Sequence, residues 1–148
     1  MCDFTAVPID QDGIVDPAAV AAAVIPGRTV LVAVMHSSNE VGSVQPIAEI
    51  AAAAREAAST AGGTSAPLRV HTDAAQSYGN VRVDAEALGV GMITVVGHKF
   101  GAPKGIAALD VRRGEVLEPL LHGADRDTGN AQAPSASLCV RRWGPQRM

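Results

Sequence analysis

A continuous apolar stretch, residues 29–35 (TVLVAVM), does most to constrain the fold of this chain. Its β-branched residues and its lack of polar alternation predict a strand buried on both faces, as in a parallel sheet covered by helices. Three shorter segments, residues 68–71, 92–96 and 106–111, predict further strands. Because a helical pattern separates the first two strands, the sequence predicts an α/β fold with a mostly parallel sheet and flanking helices.

The predicted helices have recognisable ends. Asp16 and Pro17 form an N-cap followed by a first-turn proline, as at the start of many helices. Pro46 opens a second helix with Glu49 in its first turn, where a negative charge suits the helix dipole. The apolar stripe of this helix, which should pack on the sheet, comprises Ile47, Ile50, Ala51, Ala54 and Ala58. A short capped helix is also predicted over residues 84–88.

Composition narrows the function and the compartment. The 148-residue chain has a net charge of −3 and 3% aromatic residues, whereas nucleic-acid surfaces need basic faces and stacking aromatics. Its two cysteines, Cys2 and Cys139, have neither the spacing of a metal site nor that of a disulfide framework. No signal-peptide pattern or membrane-spanning apolar run is visible. We therefore expect a cytoplasmic protein that binds neither nucleic acid nor membrane.

A carboxylate and a lysine follow neighbouring predicted strands. Asp73 stands in the segment HTDAAQ and Lys99 in the segment GHKF, and the only other lysine of the chain is Lys104. The carboxyl ends of strands form the crevice where open α/β sheets bind ligands. Pyridoxal phosphate needs an amine to hold its aldehyde and an anion to keep its pyridine nitrogen protonated. The pair therefore predicts a site for this cofactor.

Four segments in a fixed order make the chain resemble a known family. They are residues 38–42 (SNEVG), 73–76 (DAAQ), 82–90 (RVDAEALGV) and 97–106 (GHKFGAPKGI). In these segments the chain resembles the selenocysteine lyases and cysteine desulfurases of the class V aminotransferase group, which depend on pyridoxal phosphate. The resemblance implies part of the large domain of a fold-type I enzyme, a small amino-acid substrate and a homodimeric parent protein.

The resemblance also implies roles for five residues. Lys99 would bind the cofactor aldehyde and then move protons at the bound amino acid, while Asp73 would face the pyridinium nitrogen. Gln76 would donate to the phenolate oxygen of the cofactor, with Asn39 near that oxygen and the substrate carboxylate. His98 would reach the cofactor phosphate.

Each of these assignments has an ordinary structural alternative. Lys99 is alternatively a surface lysine on a turn, and Asp73 a cap at a strand-to-helix turn. For Gln76 and Asn39 the alternative is local hydrogen bonding at turns or helix ends. We interpret His71 as structural.

The end of the chain departs from the family pattern. We predict a partial cofactor-binding large domain over residues 1–123 and an aberrant, disordered tail over residues 124–148. The tail shows no strand or helix periodicity, and the segment RRWGP (141–145) has no counterpart in the family. With GC-rich codons, another reading frame over residues 125–134 yields a peptide ending in RAGTE, which resembles a family segment. We therefore hypothesise a frameshift, which sequencing of the transcript tests.

The substrate is the least constrained part of the interpretation. Many cysteine desulfurases carry a serine where this chain has Val96, and a valine there resembles the animal-type selenocysteine lyases. We therefore predict a fragment of a selenocysteine lyase, which converts selenocysteine to alanine and selenide. The alternatives are a fragment of a cysteine desulfurase, which forms a cysteine persulfide, or a non-catalytic truncated gene product. In each case we expect the 148-residue chain alone to be inactive.

Overall fold

A computed structural model describes residues 3–59, 67–115 and 117 together with the backbone of residues 137–143. The elements in chain order are α1 (Pro17–Ala23), β1 (Leu31–Met35), α2 (Ile47–Ser59), β2 (Arg69–Asp73), β3 (Met92–Val96), a 3-10 turn (Gly97–Lys99), β4 (Ile106–Arg112) and β5 (Ser137–Trp143). Within these ranges, no helix has the length and apolar character needed to cross a bilayer.

The strands form one five-stranded sheet in the order β1-β2-β3-β4-β5. β1 pairs with β2, β2 with β3 and β4 with β5 in parallel, whereas β3 pairs with β4 in antiparallel orientation. Antiparallel pairing follows from the short connection between β3 and β4, because a parallel pair needs a long crossover. The predicted α/β fold with a mostly parallel sheet and flanking helices is confirmed.

Both helices pack on one face of the sheet. The Asp16 side chain accepts a hydrogen bond from the Ala18 amide, so α1 starts where the cap and the following proline predict. The predicted apolar stripe of α2 lies in the core, where Ile50, Ala51 and Ala54 are fully buried. These residues form two adjoining clusters with α1 and with the facing side chains of the strands, among them Val32, Val34, Val70 and Ile93.

The prediction that the first strand is buried on both faces is wrong. In β1, exposed and half-buried side chains alternate, and Leu31 and Met35 are 49% and 40% exposed. β1 lies at the edge of the described sheet, and the described helices cover only the face that carries Val32 and Val34. An unbroken apolar run therefore indicated a strand but did not decide which of its faces is covered.

The short helix predicted over residues 84–88 is a turn. The Asp84 carboxylate accepts hydrogen bonds from the Glu86 and Ala87 amides, and the Leu88 amide donates to the Asp84 carbonyl. Gly89, with a φ of +63°, ends the segment. The cap is therefore present, but a segment of this length gains too few hydrogen bonds to offset the cost of helix nucleation.

Part of the tail that was expected to be disordered forms a strand. Residues 137–143 are β5, which runs parallel to β4 from the Ile106–Ser137 pair to the Arg112–Trp143 pair. The local pattern missed this strand because its pairing is supplied by the free edge of β4, whose backbone groups are open to a neighbour. Residues 124–136 and 144–148 lie outside the described residues, and the boundary at residue 123 and the frameshift stay predictions.

Candidate functional site

Three parallel strands end together at one edge of the sheet. In the register, Met35 at the end of β1 lies opposite Asp73 at the end of β2, and Asp73 lies opposite Thr94 in β3. The His36 amide donates to the Asp73 carbonyl at 2.7 Å, and the Ala74 amide donates to the Thr94 carbonyl at 2.9 Å. The turns that follow the three strands therefore start side by side, and all five predicted site residues lie at this edge.

Asp73 is the last residue of β2 and is half-buried. Its Oδ1 accepts a hydrogen bond from the Ala75 amide at 2.9 Å, which starts the turn that follows the strand. No lysine or arginine forms an ion pair with this carboxylate among the described residues. Its charge is therefore not neutralised by a salt bridge within the described part of the chain.

Gln76 and Asn39 lie in the turns that follow β2 and β1. Gln76 is half-buried, and its carbonyl accepts a hydrogen bond from the Asn80 side chain at 3.2 Å. Asn39 is exposed in a turn closed by the Ser38 amide, which donates to the Ser43 carbonyl at 2.9 Å. In the described residues neither side-chain amide is engaged in a hydrogen bond, so both remain available to a ligand.

Lys99 and His98 belong to the 3-10 turn directly after β3, and both are exposed. The Phe100 and Ala102 amides donate to the Gly97 carbonyl at 3.1 and 3.0 Å and close this turn. Gly97 is buried, and a Cβ atom there would lie 3.0 Å from the Cβ of Ala102 and 3.2 Å from the carbonyl oxygen of Ile106. The close approach of the chain therefore favours a glycine before the histidine and lysine.

His71, which we interpreted as structural, lies beside the candidate site. Two residues before Asp73 on β2, it points to the same face of the sheet, and its Nε2 is 2.8 Å from Oγ1 of Thr94. Burial lowers the pKa of His71, while the negative charge of Asp73 acts in the opposite direction. A neutral His71 leaves the charge of Asp73 free for another cation, and the period-two pattern of β2 already places the two side chains together.

His36, the first residue after β1, was not singled out from the sequence. It is 4% exposed, and its Nδ1 has no hydrogen-bond partner among the described residues. Burial lowers the pKa of His36. Its position depends on the packing of the turn after β1, where the Gln45 amide donates to the His36 carbonyl at 2.9 Å, and no local sequence signal indicates it.

These two histidines predict how stability depends on pH. For both, the pKa in the folded chain lies below the ordinary value of 6.5. As the pH falls through this range, the unfolded chain therefore binds more protons than the folded chain. Stability is then fully present above about pH 6.5 and is lost on acidification. Between pH 7 and pH 5 we therefore expect the thermal midpoint of the chain to fall.

Single variants test whether each histidine contributes to the dependence of stability on pH. His36→Asn and His71→Asn should each flatten the dependence of the thermal midpoint on pH, measured by circular dichroism. The exposed His98 serves as the control, and His98→Asn should leave the dependence unchanged. An equal midpoint at pH 5 and pH 7 in the unaltered chain would contradict the prediction.

The side chains at this edge fit pyridoxal phosphate by their chemistry. Asp73 supplies a carboxylate that forms no salt bridge with any described residue, and Lys99 supplies an exposed amine on the adjacent turn. Gln76 and Asn39 add amide groups, and His98 adds an imidazole. A protonated ring nitrogen, an aldehyde, a phenolate oxygen and a phosphate each find a matching group in this set.

Comparison with known proteins gives an independent line of evidence. The family model for aminotransferase class-V matches residues 2–135. The cysteine desulfurase IscS of Dictyoglomus turgidum is 35% identical over 125 residues, which cover 84% of this chain and 29% of that protein. The chain thus spans less than a third of the length of this curated relative.

Two solved structures share the fold. SspA in complex with cysteine matches with a TM-score of 0.74 and 33% identity, over 91% of this chain and 37% of that one. A NifS-like protein matches with a TM-score of 0.72 and 28% identity, over 96% of this chain and 34% of its own. The similarity therefore covers most of the chain in both sequence and structure.

Proposed function

The chain belongs to the aminotransferase class-V family, and from this premise we propose that it is part of a pyridoxal phosphate-dependent cysteine desulfurase. The family resemblance drawn from the four segments is confirmed. The observation that carries the proposal is the position of Asp73 at the end of β2 and of Lys99 in the 3-10 turn that follows β3, the parallel neighbour of β2. This placement occurs in a chain with a relative, 35% identical, that is named a cysteine desulfurase.

Cysteine is better supported as the substrate than selenocysteine. The curated relatives include cysteine desulfurases from bacteria, an archaeon and yeast mitochondria, and SspA was solved with cysteine bound. The selenocysteine reading depends on Val96, the last residue of β3, whose side chain offers no hydrogen-bond donor. We therefore place cysteine first and keep selenocysteine as the second candidate.

Each residue of the site has a task that its geometry allows. When bound, pyridoxal phosphate supplies an electron sink for the α-carbon of an amino acid. Lys99 would offer the amine that holds the aldehyde and would later accept or return a proton at the substrate. Asp73, which forms no salt bridge within the described residues, would keep the ring nitrogen protonated, because a carboxylate favours a cation beside it.

The remaining side chains orient the ligand. Gln76 would donate to the phenolate oxygen, Asn39 would lie near that oxygen and the substrate carboxylate, and His98 would contact the phosphate. Burial lowers the pKa of His71, so above about pH 6.5 its imidazole does not compete with the ring nitrogen for Asp73. These groups act by position and charge, which is how protein sites contribute to the chemistry of bound cofactors.

The proposal is tested with the complete protein encoded by the source gene. We expect it to form alanine from cysteine, with sulfur recovered as a protein persulfide, or as sulfide when a thiol reductant is added, and Lys99→Ala should abolish this activity. Selenocysteine is assayed in parallel through selenide release. Alanine from selenocysteine alone would establish the second candidate instead. Size measurement of the same preparation tests the predicted homodimer.

The chain of residues 1–148 by itself is expected to show no turnover. Asn39, His98 and Lys99 are exposed, so water would reach the reacting groups and weaken every electrostatic contact that the chemistry needs. The measurement is alanine formation from cysteine with added pyridoxal phosphate, compared with the Lys99→Ala chain. Turnover that depends on Lys99 in the isolated chain would contradict this expectation.

A further inference from the structure

An aromatic contact connects two of the three turns that carry the candidate site. Tyr78 lies in the turn after β2, two residues beyond Gln76, and Phe100 directly follows Lys99. The ring centroids of Tyr78 and Phe100 are 5.3 Å apart and the ring planes are inclined by 56°. Tilted rings at this distance attract each other through their quadrupoles as well as by contact.

The backbone around the two rings is shaped for this contact. Gly79 has a φ of +87°, and a Cβ atom there would lie 3.2 Å from the Cβ of Phe100. The turn that carries Tyr78 is closed by its own amide, which donates to the Ala74 carbonyl at 2.9 Å. The chain after Tyr78 therefore passes close to Phe100, and a side chain at position 79 would be strained there.

Few other described side-chain interactions hold Lys99 and its turn in place. The 3-10 turn begins without a side-chain cap, and it is a single turn of three residues. No ion pair or hydrogen bond to the Lys99 amine is present in the described part of the chain. The contact of the Phe100 ring, adjacent to Lys99, with Tyr78 therefore links this turn to the one carrying Asp73 and Gln76.

We infer that Tyr78 and Phe100 form a positioning pair that holds Lys99 against the Asp73–Gln76 turn. Both rings are close to half-exposed, at 42% for Tyr78 and 44% for Phe100, so they add little to the buried core and act chiefly on the two turns. The inference rests on the proposed function, because it assigns the pair a role in placing the cofactor-binding amine. Tyr78 and Phe100 act through Lys99 and are not themselves catalytic residues.

The test compares the labelling of two lysines in one chain. Residues 1–148 are treated with pyridoxal phosphate and borohydride, and peptide mass spectrometry gives the ratio of label on Lys99 to label on Lys104. We expect Tyr78→Ala and Phe100→Ala each to lower this ratio by roughly three- to tenfold, the range that corresponds to the strength of an aromatic pair. Because both substitutions remove the same contact, the labelling ratio of the double variant should be no lower than that of either single variant.

Controls separate positioning from general stability. Phe4 is 91% exposed, so Phe4→Ala should leave the ratio unchanged, and Tyr78→Phe should retain it because the ring remains. Circular dichroism checks that each variant is folded, and Tyr78→Leu and Phe100→Leu replace any alanine variant that is not. A folded Tyr78 variant and a folded Phe100 variant with the unaltered ratio, or a double variant with additive losses, would overturn the inference.

The unaltered chain distinguishes this inference from the proposed function. If Lys99 is labelled no more than Lys104 in the unaltered chain and also in the complete protein, the proposed cofactor site itself fails. If Lys99 is preferred but the preference survives the loss of both rings, only the positioning role fails.

Discussion

Replacement of Lys99 by alanine is expected to abolish the covalent attachment of pyridoxal phosphate to the complete protein. Reduction with borohydride should leave the cofactor on the peptide that contains Lys99 in the unaltered protein and on no peptide in the variant. The physical reason is that alanine has no amine to bind the aldehyde. None of the other proposed site residues has an amine that could replace it. In the same variant we expect the rate of alanine formation to fall to the background of the assay.

Lys104 is the matched control for this experiment. It is the other lysine of the chain, is also exposed and lies five residues further along the same loop. Lys104→Ala should retain the labelled peptide and most of the activity. Lys99→Arg keeps the positive charge but offers no amine that binds the aldehyde, so it should behave like the alanine variant. Label on Lys104, or a spectrum of the bound cofactor that survives in Lys99→Ala, would remove the central claim.

Asp73→Asn is expected to retain the cofactor but to reduce turnover by roughly two to four orders of magnitude. The Oδ1 atom of Asp73 accepts a hydrogen bond from the Ala75 amide, and the asparagine oxygen preserves that bond and the turn. The amide carries no charge, however, and removal of one partner of a buried ion pair typically costs ~3–5 kcal/mol. Kinetics with cysteine at saturating cofactor measure the loss, which should appear in kcat.

Asp84 provides the comparison for Asp73. Its Oδ1 also accepts a hydrogen bond from the amide two residues ahead, that of Glu86, but it lies in the turn before β3 rather than at the carboxyl ends of the strands. Asp84→Asn should therefore leave kcat within about twofold. Near-normal turnover in Asp73→Asn, or an equal loss in both variants, would show that the charge of Asp73 is not used as proposed.

Local sequence patterns determined much of the secondary structure and the composition of the candidate site. The Asp16 cap, the following proline and the α2 stripe each act within one or two turns of chain, so they predicted helices that form as expected. The short apolar runs predicted four strands. Because Asp73 and Lys99 follow two such runs, their approach at one edge could be expected once the strands were taken as parallel neighbours.

Tertiary structure decided what the local patterns could not express. β3 and β4 are antiparallel, β1 lies at an edge with one face uncovered by the described residues, and residues 137–143 form a strand because β4 offers them a partner. His71 reaches Thr94, and Tyr78 reaches Phe100, across 23 and 22 positions of the sequence. Such contacts depend on which elements become neighbours in space, and a pattern read along one segment carries no information about the surface that its partner presents.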